Sequence, residues 1–119
     1  MLQKILIIDD DARNIFALKA TLKAKGYGCI SATSARQGID LLQSDADIRI
    51  VLLDMMMPGM DGYEAIAAIK NMRRLPVIAV TAQAMTGDRK KCITAGADDY
   101  IAKPINVDKL LLVLNTYIK

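Results

Sequence analysis

The chain has 119 residues, of which 53% are hydrophobic and 24% charged, with a net charge of +3. A chain this long buries one compact core and not two, and no apolar stretch approaches the roughly 18 residues that a bilayer span needs. It contains no histidine, which removes His-based acid/base catalysis, His nucleophiles and most zinc sites.

Apolar β-branched runs alternate with helical patterns five times. Residues 5–8 are apolar at consecutive positions, as expected for a strand buried on both faces. Across residues 12–25 the positions Ile15, Leu18 and Leu22 recur at helical spacing, and Gly26 ends that helix. Residues 27–32 form a short second strand, and Ser34 is positioned to cap a helix carrying Ile39, Leu41 and Leu42. Residues 48–53 are the third strand. The segment from Met57 to Gly62 reads as a loop by its Pro and Gly content.

A third helix follows, with Ala65, Ile66 and Ile69 inward, and ends before Pro76. Residues 77–80 are the fourth strand. Thr86 or Gly87 opens a helix that stops at Gly96, Asp99–Ala102 is a brief fifth strand, and residues 107–118 form a final apolar helix. Strands that alternate with helices pair in parallel through right-handed crossovers. The predicted fold is therefore an α/β, flavodoxin-like, doubly wound (βα)5 sandwich with strand order 2-1-3-4-5. No internal repeat or low-complexity segment interrupts it.

The chemistry-bearing residues fall just after strands. Asp9 and Asp10 follow the first, Asp54 the third, Thr81 the fourth and Lys103 the fifth. In open parallel sheets ligands bind at the carboxyl ends of the strands, at the switch point of strand order. Strand order 2-1-3-4-5 makes the first and third strands neighbours there, so Asp9, Asp10 and Asp54 should converge. Three carboxylates at one point repel each other unless a cation neutralises them. The all-oxygen donor set favours Mg²⁺, with Mn²⁺ as a substitute, and Mg²⁺ leaves positions open for phosphate oxygens. Asp54 is the best nucleophile, since aspartate can attack phosphorus to form an acyl phosphate. Lys103 supplies a positive charge and Thr81 a hydroxyl for the phosphoryl oxygens. The missing histidine fits a phosphoryl donor outside this chain.

Four stretches carry a resemblance: Ile7-Ile8-Asp9-Asp10-Asp11, Leu53-Asp54-Met55-Met56-Met57-Pro58-Gly59-Met60-Asp61-Gly62, Val80-Thr81-Ala82, and Ala95-Gly96-Ala97-Asp98-Asp99-Tyr100 followed by Lys103-Pro104. In that order and spacing the chain resembles the response-regulator receiver domain of two-component signalling from end to end. The resemblance implies that Asp54 takes a phosphoryl group from a kinase histidine. It implies that Asp10 and Asp54 bind Mg²⁺ directly with the Met56 backbone carbonyl, while Asp9 acts partly through water; Asp11, the neighbouring carboxylate of the run, is expected just outside the site. It also implies a switch: Thr81 turns toward the phosphoryl group, Tyr100 moves inward, and the surface of the fourth helix, fifth strand and fifth helix changes its partner affinity. The Lys103-Pro104 bond looks like the family's cis-proline turn. Met56 and Gln83 sit where the family tunes acyl-phosphate hydrolysis, and Met56 is expected to shield the site and lengthen the phosphoryl lifetime.

The implied partners are a sensor histidine kinase or phosphotransfer protein and a downstream target, with a phosphorylation-linked dimer possible and no nucleic acid or membrane partner. Residues 1–119 read as a single receiver domain without an output domain, catalysing only its own phosphorylation and dephosphorylation. Met1 favours a stand-alone product, whereas Asp10-Asp11-Ala12-Arg13-Asn14 resembles receivers attached to hybrid kinases. The start runs directly into a strand and leaves no room for a signal peptide, so a cytoplasmic location is expected.

Plainer readings stand beside these. Asp9 and Asp10 alone would be caps for the first helix. Asp54 alone would be a turn residue, Thr81 a strand-end residue, Lys103 a solvated lysine and Tyr100 a static core aromatic. Met55, Met56 and Met57 would mostly fill gaps. Cys29 and Cys92 form no Cys-x-x-Cys pair and read as buried free thiols. Arg73-Arg74 and Arg89-Lys90-Lys91 read as solvated helix faces rather than a nucleic-acid footprint. A competing enzyme reading, a haloacid-dehalogenase-like phosphatase or phosphotransferase, would use Asp9 as nucleophile and Asp11 as acid/base, and leaves Asp54 without a role. A flavin-binding reading fails because an acidic loop after the first strand would repel the flavin phosphate.

Overall fold

The computed structural model describes residues 3–82 and 86–118, and side chains for these residues apart from 86–88. Gln83 lies outside the described residues. Among the described residues ten elements alternate: β1 (Lys4–Ile8), α1 (Ala12–Ala24), β2 (Gly28–Ala32), α2 (Ala35–Ser44), β3 (Ile48–Asp54), α3 (Gly62–Met72), β4 (Val77–Thr81), α4 (Thr86–Ala95), β5 (Asp99–Ala102) and α5 (Val107–Tyr117). The strands form one parallel sheet in the order β2-β1-β3-β4-β5, as the alternation predicts.

The consecutive apolar runs are explained by the two faces of this sheet. In β1 the odd residues Ile5 and Ile7 join one core with Ile50, Leu52, Ile78 and Leu114. Leu6 and Ile8 join the other with Val51, Leu53, Ile66 and Ile69. Successive strand residues point to opposite faces, and a helix layer covers each, so every position is apolar. Each large aliphatic side chain buried this way contributes about 1.5–3 kcal/mol relative to exposure.

Helix starts follow from local polar chemistry. Ser34 caps α2 by accepting from Gln37 N at 3.1 Å, while Gln37 Oε1 reaches back to Thr33 N at 2.8 Å. Asp61 caps α3 by accepting from the backbone N–H groups of Tyr63 and Glu64, and Asn106 caps α5. The cap of α1 is Asp11, which accepts from Arg13 N at 2.9 Å, rather than Asp9 or Asp10. Gly26 and Gly96 follow α1 and α4 with φ of 91° and 117°, a left-handed conformation that side-chain-bearing residues avoid.

Two local expectations change. Gly62 belongs to the first turn of α3, buried against Met55, because the Asp61 cap starts the helix one residue inside the expected loop. Arg73 is no solvated helix residue. It caps the C-terminus of α3, and its guanidinium donates to the carbonyls of Leu42, Asp45 and Ile48 at 3.1, 2.9 and 2.7 Å.

Candidate functional site

Strand register builds the site. Ile8 pairs with Leu53, Asp54 with Val80, and Thr81 with Ala102. The residues at and just beyond these pairs therefore gather at one edge: Asp9 and Asp10 after β1, Asp54 and Thr81 as the last residues of β3 and β4, and Lys103 after β5. Asp54 and Thr81 still lie within their strands, one residue earlier in the geometry than the sequence suggests, so the sheet itself holds them.

Asp9, Asp54 and Thr81 are the buried polar side chains of the described core, with 4%, 4% and 2% exposure. Asp10 is exposed beside them. One carboxylate oxygen from each of Asp9, Asp10 and Asp54 lies within 4.8 Å of the others. Asp54 is held from both sides: Oδ1 accepts from Met56 N at 2.9 Å, and Oδ2 accepts from Lys103 Nζ at 3.0 Å. Lys103 keeps a quarter of its side chain exposed, and its peptide bond to Pro104 is cis. Asp9 Oδ1 accepts from Asp11 N at 2.9 Å, so the helix cap and the site share the β1–α1 turn. Burial pushes the Asp9 carboxyl above the usual carboxylate range, the Asp11 N–H pulls it back, and the neighbouring Asp54 charge raises it again.

The electrostatics carry a chemical consequence. One ammonium faces three carboxylates, so the cluster carries excess negative charge in a partly dry setting. Its donors are all carboxylate oxygens, which fits a hard divalent cation of the Mg²⁺ or Mn²⁺ type. Asp11 turns its carboxylate to the start of α1 and lies outside the cluster, as expected. The pairing of Asp9 with Asp11 that a dehalogenase-like enzyme needs is thus not the one the fold assembles.

The remaining predicted residues lie nearby in differing settings. Met56 follows the site with its side chain 51% exposed, while Met57 is buried and Met55 packs partly against the core. Tyr100 is half-buried, packed against the core on the side of α4. Cys29 and Cys92 form no disulfide; Cys92 is buried as expected, whereas Cys29 is only partly buried, enough for desolvation to raise its thiol above the usual value. The Met56 N–H bond to Asp54 escapes sequence reasoning, since backbone donors carry no residue signature. So does a cavity of about 260 Å³ that reaches from Asp9 and Lys103 outward past Asn14, Ala17, Thr21 and Val107. Its signal is weak: small and polar residues on the side of α1 away from Ile15 and Leu22.

The sequence matches the family model for the response regulator receiver domain over residues 5–115. It is 36% identical over 125 residues to hybrid signal transduction histidine kinase I of Dictyostelium discoideum, which covers 98% of this chain and 7% of that protein. It is 38% identical over 110 residues to transcriptional regulatory protein CpxR of Escherichia coli K12, covering 92% of this chain and 47% of that protein. The chain thus spans less than half the length of these curated relatives. Among solved structures, the receiver domain of sensor histidine kinase PA1611 from Pseudomonas aeruginosa PAO1 superposes with a TM-score of 0.86 and 34% identity, over 99% of this chain and 98% of that one. That structure holds a magnesium ion coordinated in its active-site cleft. A five-stranded sheet in this order, an acidic cluster at its switch point and a family match along nearly the whole chain lead to one conclusion: the chain belongs to the response regulator receiver domain family of two-component signalling, and is related to the receivers of hybrid kinases.

Proposed function

We propose that the chain is the phosphoacceptor of a two-component phosphorelay, taking a phosphoryl group from a kinase or phosphotransfer histidine onto Asp54. The observation that carries this reading is the position of Asp54, buried, within 4.8 Å of the Asp9 and Asp10 oxygens, and 3.0 Å from the Lys103 ammonium. Asp9, Asp10 and Asp54, with the Met56 backbone carbonyl, would hold Mg²⁺. Bound there, the ion would neutralise the carboxylates and the incoming phosphoryl oxygens.

An Asp54 oxygen attacks phosphorus on the donor's phosphohistidine. The O–P bond forms as the N–P bond breaks, and the electron pair returns to the imidazole nitrogen of the donor. The Met56 N–H fixes one Asp54 oxygen, which leaves the oxygen that faces Lys103 to react. Lys103 then follows the charge onto the phosphoryl oxygens, and the Thr81 hydroxyl at the end of β4 binds another. The cavity past Asn14, Ala17 and Thr21 reaches Asp9 and Lys103 at the rim of the site, where the donor's side chain would dock.

The switch follows from the same contacts. Once Thr81 engages the phosphoryl group, the inward position of Tyr100 gains population, and the α4–β5–α5 surface presents a different face to a downstream partner, a second copy included. The domain acts on no other substrate, works in the cytoplasm, where its two free thiols are at home, and functions as a single receiver over residues 1–119. Acetyl phosphate with Mg²⁺ tests the reading. It predicts labelling of one phosphoryl per chain, lost on chelation and in Asp54→Asn. Steady turnover of general phosphate esters would instead favour the phosphatase reading. Lys103→Ala should retain Mg²⁺ binding and lose the response of the α4–β5–α5 surface.

A further inference from the structure

At the opposite edge of the sheet from Asp54, a second cavity of about 260 Å³ lies between the starts of β3 and β4 and the end of α5. Its walls include Gln3, Arg49, Arg73, Arg74 and Tyr117. Three guanidiniums thus meet around one concavity. Among the described residues, Arg13 and Arg36 sit against carboxylates, whereas Arg49, Arg73 and Arg74 form no ion pair.

Asp45 and Asp98 near this edge are held in ion pairs with lysines, while Asp99 also faces the cavity-wall Tyr117 hydroxyl at 3.4 Å. Asp45 is bound to Lys4 at 2.7 Å. Asp98 is bound to Lys70 and to Val77 N, each at 2.8 Å, and Asp99 accepts from Tyr100 N. Arg73 is held rigidly, because three of its five N–H donors go to the carbonyls of Leu42, Asp45 and Ile48. Those carbonyls steady the guanidinium without cancelling its charge. Nε–H and one Nη2–H remain without a protein acceptor among the described residues. Arg49 and Arg74 are exposed at the rim, Arg49 with one long bond of 3.4 Å to Ala46 O.

We propose that this cavity is an anion site for a phosphate-class oxyanion, either free phosphate or a small phosphomonoester. A pre-oriented guanidinium with spare donors binds such an oxyanion through paired N–H···O bonds, a geometry that a lysine cluster lacks. The volume suits an oxyanion with a few waters or a small organic group, and is below the range of larger ligand pockets. The site is separate from the acidic cluster in place and in charge, and it needs neither magnesium nor Asp54.

The test is an NMR titration of the full chain, without magnesium and at constant ionic strength, with inorganic phosphate, with glycerol 3-phosphate and with chloride alone. The expected result is saturable shifts of the Arg73 and Arg74 Nε–H signals and of the Arg49 amide, with a midpoint near about 1 mM or below. Arg49→Gln and Arg74→Gln should each weaken binding about tenfold, the scale of one lost charged hydrogen bond. Both side chains are exposed, so these variants keep the fold, whereas an Arg73 variant would also free three carbonyls. Tighter binding of the phosphomonoester would identify an organic phosphate as the ligand, and tighter binding of inorganic phosphate the free ion. Equal shifts with chloride, or an affinity unchanged in both variants, would overturn the proposal.

Discussion

The two edges of the same sheet handle charge in opposite ways. At the carboxyl edge, Asp9, Asp10 and Asp54 crowd together against one ammonium, so like charges remain uncompensated in a partly buried setting. At the amino edge, Arg73 is half-buried without an ion pair among the described residues, and backbone carbonyls from α2, its C-terminal turn and β3 accept its hydrogens. The first arrangement costs stability and readies chemistry. The second ties three segments together and contributes stability. The comparison teaches that a charge's role in this fold depends on what answers it: a missing counter-charge at one edge, peptide dipoles at the other.

Substitutions should separate the edges by what they damage. The largest expected effect is on reaction rate: Asp10→Asn should slow acetyl-phosphate labelling at fixed Mg²⁺ by about tenfold or more, the scale of damage at a metal site, with an unchanged urea midpoint. An unchanged labelling rate would remove Asp10 from the site. Next in size, Arg73→Ala should lower stability by roughly 3 kcal/mol, since three carbonyls lose a charged donor, while the folded fraction still labels at the normal rate. Urea unfolding monitored by circular dichroism measures this, and a loss below a few tenths of a kcal/mol would mean that water replaces the guanidinium.

These two edges also differ in how far the sequence exposes them. The strand ends were legible because buried parallel strands show as unbroken apolar runs, and Asp9, Asp54, Thr81 and Lys103 interrupt or follow those runs at matching places. Strand order 2-1-3-4-5 then required the acidic residues to meet. Arg73 was illegible, because its acceptors are main-chain oxygens 25 to 31 residues away that any side chain could accompany. Asp11 shows a subtler limit. In a run of three aspartates, residue type alone does not say which one caps the helix and which two face inward; the Asp9-to-Asp11 N–H turn decides it. Tyr100 and the α4–β5–α5 surface belong to a change of state, which no single strand pattern encodes.

Smaller effects sharpen the contrast. Asp9→Asn should raise the urea midpoint of the metal-free protein, because burial and the Asp54 charge oppose ionisation of this carboxyl. A lowered midpoint would show that the Asp11 N–H bond outweighs both. The smallest effect belongs to the Lys4–Asp45 pair at the amino edge. Its lysine holds the Asp45 carboxyl below the ordinary value of about 3.9, so the pair's contribution is present above that pH and is lost as pH falls through the folded value. Acid unfolding of Asp45→Asn should therefore start from slightly lower stability at neutral pH and fall less steeply below about pH 4. Parallel acid limbs for the two proteins would mean that the pair is solvated and contributes nothing.

The most direct measurement locates the phosphoryl group itself. Chains labelled with acetyl phosphate and Mg²⁺ are reduced with borohydride, digested, and the reduced aspartate is located by mass spectrometry. The account predicts modification of the peptide that carries Asp54, and none in chelator. Modification within Asp9, Asp10 and Asp11 with Asp54 untouched would contradict it.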